Sequence, residues 1–415
     1  MNKVPLAKPA RISRSQQFLL LNNPLPLKPV ALPKFVSAQD LVERMKPSEP
    51  VYCIRSHAIK AATKWFVSAF PGQVMYAVKT NPEPFVLKTI FKSGVRHFDV
   101  ASLTEIESVA RECPKATMHY MHPVKSRESI LHAYHKYGVR SFSLDTMDEL
   151  TKIEEMTHHA RDLTLYIRLS IPNDHAAMSL QGKFGVQGEE AVTLLRAARG
   201  VAKKLGICFH VGSQCMDPAD YRTAMVKVRA LIDSAGVNVD AVDVGGGFPS
   251  IYPDLAPPAL QGYMDTIRAA LTENGFANGM EVFCEPGRGL VAESGSVVVK
   301  VELRKGDALY INDGVYGSLF DAGYPGFVYP TRALRPLEGF SGELNSFRFF
   351  GPTCDSLDAM KGPFTLPNDI REGDWIEIGG LGAYGQTMRT RFNGFYSDKQ
   401  VELSDAPMLS LFGLN

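Results

Sequence analysis

The sequence predicts a (β/α)8 TIM-type barrel followed by a C-terminal antiparallel β-sandwich or β-barrel domain. Three observations carry this prediction. Between about residues 50 and 290, apolar β-branched runs alternate with segments of 3.6-residue periodicity. Charged and polar residues recur where those runs end. Beyond about residue 293 the periodicity changes to two, broken by Gly, Pro and Asp turns.

The strand-like runs fall at 73–79, 95–100, 117–121, 140–144, 163–169, 206–211, 240–244 and 280–285. Eight strands with intervening helices in about 240 residues match the size of a TIM barrel. The first intervening helix shows the pattern: Phe85, Leu87, Ile90 and Phe91 make an apolar stripe beside Lys88, and Gly94 ends it. The period-two segments are 296–304, 307–312, 347–350 and 374–378. The expected domains are therefore an extended arm over 1–35, a barrel over 36–292 and a β domain over 293–415, which N-terminal residues join. Prolines 24, 26, 29 and 33 make the arm an extended segment.

Composition excludes several classes. The 415 residues carry a formal net charge of +1, so bulk charge draws neither nucleic acid nor an anionic membrane. No apolar run is long enough to span a bilayer. The six cysteines (Cys53, Cys113, Cys208, Cys215, Cys284 and Cys354) form no C-x-x-C pair, so no zinc site or other metal centre is expected. Unpaired thiols in a chain this long point to the cytoplasm.

Lys79, Asp99, Asp145, Arg168, His210, Asp243 and Glu285 all lie at or beside the C-terminal end of a predicted strand. Catalytic groups of TIM barrels collect on that face. For Asp145 a helix N-cap is the simpler expectation, because a helix follows it. Lys79, ending the run 74–78, is the most telling of the seven. A lysine on a buried strand must be paired, reach water, or be neutralised, and condensation with an aldehyde neutralises it. That is the resting chemistry of pyridoxal-phosphate enzymes.

The Asp243-Val-Gly-Gly-Gly-Phe-Pro249 segment offers backbone N–H groups and freedom for positive φ, which suits an anion loop; a tight turn would read the same way. Glu285-Pro286-Gly287-Arg288 ends the eighth strand, close to where barrels bind phosphate, and its acid can hold a pyridine nitrogen protonated. His210-Val-Gly-Ser213-Gln214 ends the sixth, where an imidazole can stack on a flat ring and a hydroxyl can donate to phosphate. In the β domain, Cys354 lies beside Asp355 and near Asp358. The acids do not activate the thiol as a nucleophile, but it can give up a proton, and Asp355 can pair with a cation.

The segments 76–81, 210–214, 245–249, 285–288, 354–355 and 382–384, in this order, resemble the fold type III (alanine-racemase-fold) pyridoxal-phosphate decarboxylases of the ornithine/diaminopimelate group. The resemblance spans about residues 36–400. It implies pyridoxal 5'-phosphate held as a Schiff base on Lys79, with Asp99 beside that lysine and Arg168 near the ring. It implies that Glu285 pairs with the pyridine nitrogen and His210 stacks on the ring. Ser213, Gly246, Gly247, Pro286, Gly287, Arg288 and Tyr384 would line the cofactor and its phosphate. Cys354 would protonate Cα after carbon dioxide leaves, and Asp355, Asp321 and Phe392 would complete the substrate site. It further implies a homodimer with shared active sites, Lys183 pairing with Asp358 across the interface.

The implied reaction is decarboxylation of L-ornithine to putrescine, with L-lysine to cadaverine as a second activity, in polyamine biosynthesis. Diaminopimelate decarboxylases carry Cys-Glu-Ser where this chain has Cys354-Asp355-Ser356, which favours a substrate with a bare distal ammonium. A diaminopimelate or other amino-acid decarboxylase of this fold is the alternative. A non-catalytic regulator resembling antizyme inhibitors is a third reading, and the retained Lys79, Glu285, Arg288 and Cys354 oppose it.

Overall fold

The structure, a computed structural model, describes residues 32–172, 175–178, 182–276 and 279–415. Contacts divide the chain into two units, Met1–Pro33 and Lys34–Asn415. Residues 1–31, most of the predicted arm, lie outside the described residues.

In chain order the first strands are β1 (Lys34–Phe35), β2 (Val51–Ile54), β3 (Gln73–Ala77), β4 (His97–Val100), β5 (Thr117–Tyr120) and β6 (Ser141–Leu144). They are followed by β7 (Thr164–Arg168), β8 (Ala176–Met178), β9 (Lys204–Cys208), β10 (Ser213–Cys215), β11 (Ala241–Asp243) and β12 (Glu281–Cys284). Eight of these close a parallel barrel in the order β11-β12-β3-β4-β5-β6-β7-β9. The closing pairs are Phe283 with Gln73 and Cys284 with Val74. Every predicted strand from 73 to 285 corresponds to one barrel strand.

The strands read as continuous apolar runs because helices cover one side and the barrel interior fills the other. Met75, Met121, Tyr166, Cys208, Ala241 and Phe283 form one such interior cluster. Around it runs a polar chain: His97 Nδ1 lies 2.9 Å from His119 Nε2, and His119 Nδ1 lies 2.9 Å from Ser141 Oγ.

Helix starts follow side-chain caps. Ser102 Oγ accepts from the Glu105 N–H, and Thr146 Oγ1 accepts from the Glu149 N–H, each a capping box in sequence. The cap of the helix Met147–Met156 is thus Thr146 rather than Asp145. Asp145 instead accepts a hydrogen bond from the Gly185 N–H at 2.9 Å and tethers that loop. The carboxylate one residue before the cap cannot reach the first-turn N–H groups while Thr146 occupies them.

The second sheet comprises β1, β2, β13 (Gly295–Lys305), β14 (Ala308–Ile311), β15 (Thr331–Leu334), β16 (Leu344–Phe350), β17 (Ala359–Pro367), β18 (Trp375–Gly379) and β19 (Gln400–Leu403). The long β13 organises it: its first half pairs with β2 and β18, its second half with β14. The sheet is mostly antiparallel, as expected, with three parallel exceptions: β1 with β19, β19 with β2, and β14 with β16. β2 and β19 are parallel because the whole barrel intervenes between them, a connection no hairpin could make.

Arg55 stands where the chain leaves β2 for the first barrel helix. Its guanidinium is almost fully buried and donates to Glu377 Oε1 (2.8 Å), Ser296 Oγ (3.0 Å) and Asp405 Oδ1 (3.0 Å). Paired on every side, it can be buried without an uncompensated charge.

Candidate active site

At the C-terminal rim of the barrel, a cavity of about 560 Å³ is lined by residues from the barrel strands' ends and from the β domain. Lys79, Asp99, Arg168, His210, Ser213, Gly247, Glu285, Gly287, Arg288, Asp321 and Tyr384 all line it.

β3 stops at Ala77, two residues before the predicted end, and a single 3-10 turn, Val78–Thr80, carries Lys79. The Lys79 side chain is 43% exposed, so its amine faces the cavity rather than the barrel interior. Its Nζ lies 3.2 Å from Asp99 Oδ2. Asp99 pushes the ammonium above the usual lysine range; burial opposes this, and Glu285 and Tyr384 add to it.

Glu285 is buried, and its Oε1 has no hydrogen-bond partner among the described residues. Burial pushes its carboxyl well up, and the nearby Asp243 and Asp99 push it further. The carboxyl of Asp243 is raised to about 6, again chiefly by burial. Such a pair favours sharing a proton until a cation reaches it. His210 Nδ1 accepts from the Gly212 N–H at 3.0 Å, and burial holds the imidazole well below its usual range, so the ring is neutral.

Three glycines here have no room for a side chain. A Cβ on Gly246 would lie 2.7 Å from the Glu285 carbonyl and 2.9 Å from His210 Nε2. One on Gly247, whose φ is +102°, would lie 2.6 Å from the Gly212 carbonyl. One on Gly287 would strike Thr80 Oγ1, a buried hydroxyl with no partner among the described residues. Arg288 completes this end: it donates to Tyr252 Oη (2.8 Å) and Asp321 Oδ2 (3.0 Å), while its buried Nε has no partner among the described residues. Tyr384, in a left-handed backbone conformation, lays its ring 5.1 Å from the guanidinium.

The residues present fit pyridoxal phosphate. One cavity is lined by the Lys79 amine, by Glu285 with its orphaned oxygen, and by tight glycines together with Thr80 and Arg288, whose Oγ1 and Nε are also orphaned among the described residues; these are partners for an aldehyde, a ring nitrogen and a phosphate. Arg168 also lines the cavity.

The β-domain candidates gather elsewhere. Cys354 is exposed, and its N–H and thiol both approach Asn393 Oδ1, at 3.2 and 3.3 Å. Asp355 accepts from the Leu357 N–H at 3.0 Å and from Tyr316 Oη at 2.5 Å, and these hold its carboxyl below the ordinary range. Phe392 packs on Tyr316 at 4.8 Å. None of these lines the cavity of its own chain. Asp358 is buried and caps its own loop, accepting from the Val315 N–H (2.7 Å) and from Thr353 (3.1 and 2.7 Å). Lys183 lies over Phe184 at the cavity wall.

Several lining residues escaped the sequence reading: Thr80, Met121, His122, Phe184, Phe248, Phe320 and Met388. His122 was findable, because it too follows a predicted strand end.

A parallel barrel with an amine, a buried acid and a glycine rim converging on one mouth defines a pyridoxal-phosphate enzyme. The chain belongs to the pyridoxal-dependent decarboxylases: residues 56–292 match the family described as "Pyridoxal-dependent decarboxylase, pyridoxal binding domain". It is a lyase whose cofactor is pyridoxal 5'-phosphate. It is 35% identical to ornithine decarboxylase of Panagrellus redivivus over 80% of either chain. It is 32% identical to lysine/ornithine decarboxylase of Selenomonas ruminantium, covering 80% of this chain and 84% of that one. Its fold superposes with a TM-score of 0.75 on lysine/ornithine decarboxylase from Vibrio vulnificus complexed with putrescine, at 28% identity, over 89% of this chain and 99% of that one.

Proposed function

We propose that the protein decarboxylates L-ornithine to putrescine, and L-lysine to cadaverine as a second reaction. The observation that carries this is Asp321 on the cavity wall, an acid suited to a distal ammonium, which in our reading Asp355 of the facing chain joins. Two of the named relatives are lysine/ornithine decarboxylases, one of them complexed with putrescine. Ornithine and lysine differ by one methylene, which a pocket discriminates by only about 1–3 kcal/mol.

When bound, the cofactor supplies an electron sink for the pair released as carbon dioxide departs. Lys79 anchors it through its amine, and Asp99 steadies that amine. Glu285 takes the ring nitrogen and keeps it protonated, so its charge is matched only when the cofactor is in place. His210 would cover one ring face, its imidazole kept neutral by burial. Arg168, on the cavity wall, would lie near the ring. Ser213, Gly246, Gly247, Pro286, Gly287, Arg288 and Tyr384 hold the phosphate end. Cys354 delivers the proton to Cα, its thiol oriented by Asn393. Asp355 receives the distal ammonium, and the unengaged oxygen of Asp321 offers a second acceptor. Phe392 walls the substrate.

Because Cys354, Asp355 and Phe392 lie outside their own chain's cavity, the catalytic unit we propose is a homodimer in which each chain lends these residues to its partner. Lys183 reaches Asp358 across that interface, while Asp358 also caps its own loop. We take the protein to be cytoplasmic; among the described residues no helix is long and apolar enough to cross a membrane. The domain division we propose is a barrel over 36–292 and a β domain over 293–415 that also recruits the strands before residue 55. Substrate preference measured as kcat/KM for carbon dioxide release tests the proposal.

A further inference from the structure

We propose that Asp321 is a positioning residue for the cofactor's phosphate, acting through Arg288, with Tyr252 as its second support. This rests on the reading that Arg288 holds the phosphate, and goes beyond it by giving Asp321 a task other than meeting substrate.

The geometry is specific. Arg288 opens a short helix, Arg288–Val291, at the barrel rim, and only 3% of its side chain is exposed. A guanidinium in so dry a place needs its N–H groups paired. Two segments supply partners. Tyr252, beyond the triple-glycine loop, accepts from Nη1 at 2.8 Å. Asp321, from the β-domain turn Phe320–Gly323, accepts from Nη2 at 3.0 Å. The rings of Tyr252, Phe327 and Tyr384 lie 6.0, 5.2 and 5.1 Å from the guanidinium carbon and confine it further. Nε is buried and has no partner among the described residues.

Arg288 is therefore clamped between the barrel and the β domain, and it lines the same cavity as Thr80 and Gly287. A flexible arginine would lose rotamer freedom on binding a phosphate; a clamped one has already lost it. Asp321 also supplies the negative charge that lets the guanidinium stay in this site when no phosphate is there.

The test is the dissociation constant of pyridoxal phosphate, read by cofactor absorbance and protein fluorescence rather than turnover, for Arg288→Ala, Asp321→Ala, Asp321→Asn, Tyr252→Phe and the Arg288→Ala/Asp321→Ala double variant. A charge-assisted hydrogen bond contributes about 1.5–3 kcal/mol, so Asp321→Ala should weaken binding roughly 10- to 100-fold. Asp321→Asn, which can still accept from Nη2, should recover part of the loss, and Tyr252→Phe should weaken binding less. The double variant should bind no worse than Arg288→Ala, because Asp321 has no target once the arginine is gone. Pyridoxal without its phosphate should be bound equally by all.

Wild-type cofactor affinity in both Asp321→Ala and Tyr252→Phe, with only the substrate KM raised, would overturn the inference. So would additive losses in the double variant. Should Asp321→Ala not fold, Tyr252→Phe, which removes one oxygen from a retained ring, decides alone. Wild-type affinity in Arg288→Ala would instead remove the underlying reading of the phosphate site, and the inference with it.

Discussion

Lys79 Nζ stands 3.2 Å from Asp99 Oδ2 because β3 and β4 are neighbours in the barrel, with Ala77 and Asp99 directly paired in register. The contact is fixed by strand pairing, and so is its chemical effect: the carboxylate keeps the amine protonated. Attachment of an aldehyde needs the free amine. The rate of cofactor attachment should therefore rise with pH, and Asp99→Asn should move that profile to lower pH. Stopped-flow absorbance of cofactor binding across pH checks this. Lys79→Ala should abolish the covalent absorbance altogether.

The proposed sharing of active sites has a sharper consequence. Lys79→Ala and Cys354→Ala should each be nearly inactive alone. If each site draws Lys79 from one chain and Cys354 from the other, mixed dimers carry one intact site. Mixing the two variants should then recover up to about a quarter of wild-type activity after subunit exchange in a symmetric dimer. No recovery, despite exchange shown by mass, would contradict the shared site.

Asp355 is held by the Leu357 N–H and Tyr316 hydroxyl with its carboxyl kept ionised. Asp355→Ala should lower kcat/KM for ornithine by roughly 10- to 100-fold, the loss of one charged hydrogen bond, while leaving the cofactor dissociation constant unchanged. Titration of the cofactor alongside steady-state kinetics separates the two.

The buried His97–His119–Ser141 chain makes the barrel sensitive to acid. Burial, and then His97, lower His119 to about 3, against an ordinary value of 6.5. A histidine depressed in this way contributes stability above its unfolded pKa and loses it as pH falls. Below pH 6.5 the unfolded chain takes up a proton that the folded barrel refuses. Between pH 6.5 and 5 this amounts to about 2 kcal/mol. Urea midpoints at the two pH values should differ by more in the wild type than in His119→Gln.

The barrel was legible because its strands are buried on both faces and so announce themselves as unbroken apolar runs, each ended by a polar residue. The cofactor rim was legible for the same reason: Lys79, Asp99, His210 and Glu285 are local to strand ends. Contacts between distant segments were not. Nothing in the spacing of Tyr252, Arg288 and Asp321 places them together; the packing of the β domain on the barrel does. The parallel pairing of β14 with β16 is similarly a matter of chain path. Asp145 looked like a cap because it precedes a helix, yet Thr146 is better placed by one residue and leaves the acid to hold Gly185.

The most direct test of the account is carbon dioxide release by the cofactor-loaded protein from L-ornithine, L-lysine, L-arginine and meso-diaminopimelate, compared as kcat/KM. The account predicts the highest value for ornithine, a measurable one for lysine and little with the other two. Preference for diaminopimelate would mean that Asp355 and Asp321 do not face a bare ammonium, and silence on all four would contradict a decarboxylase of basic amino acids.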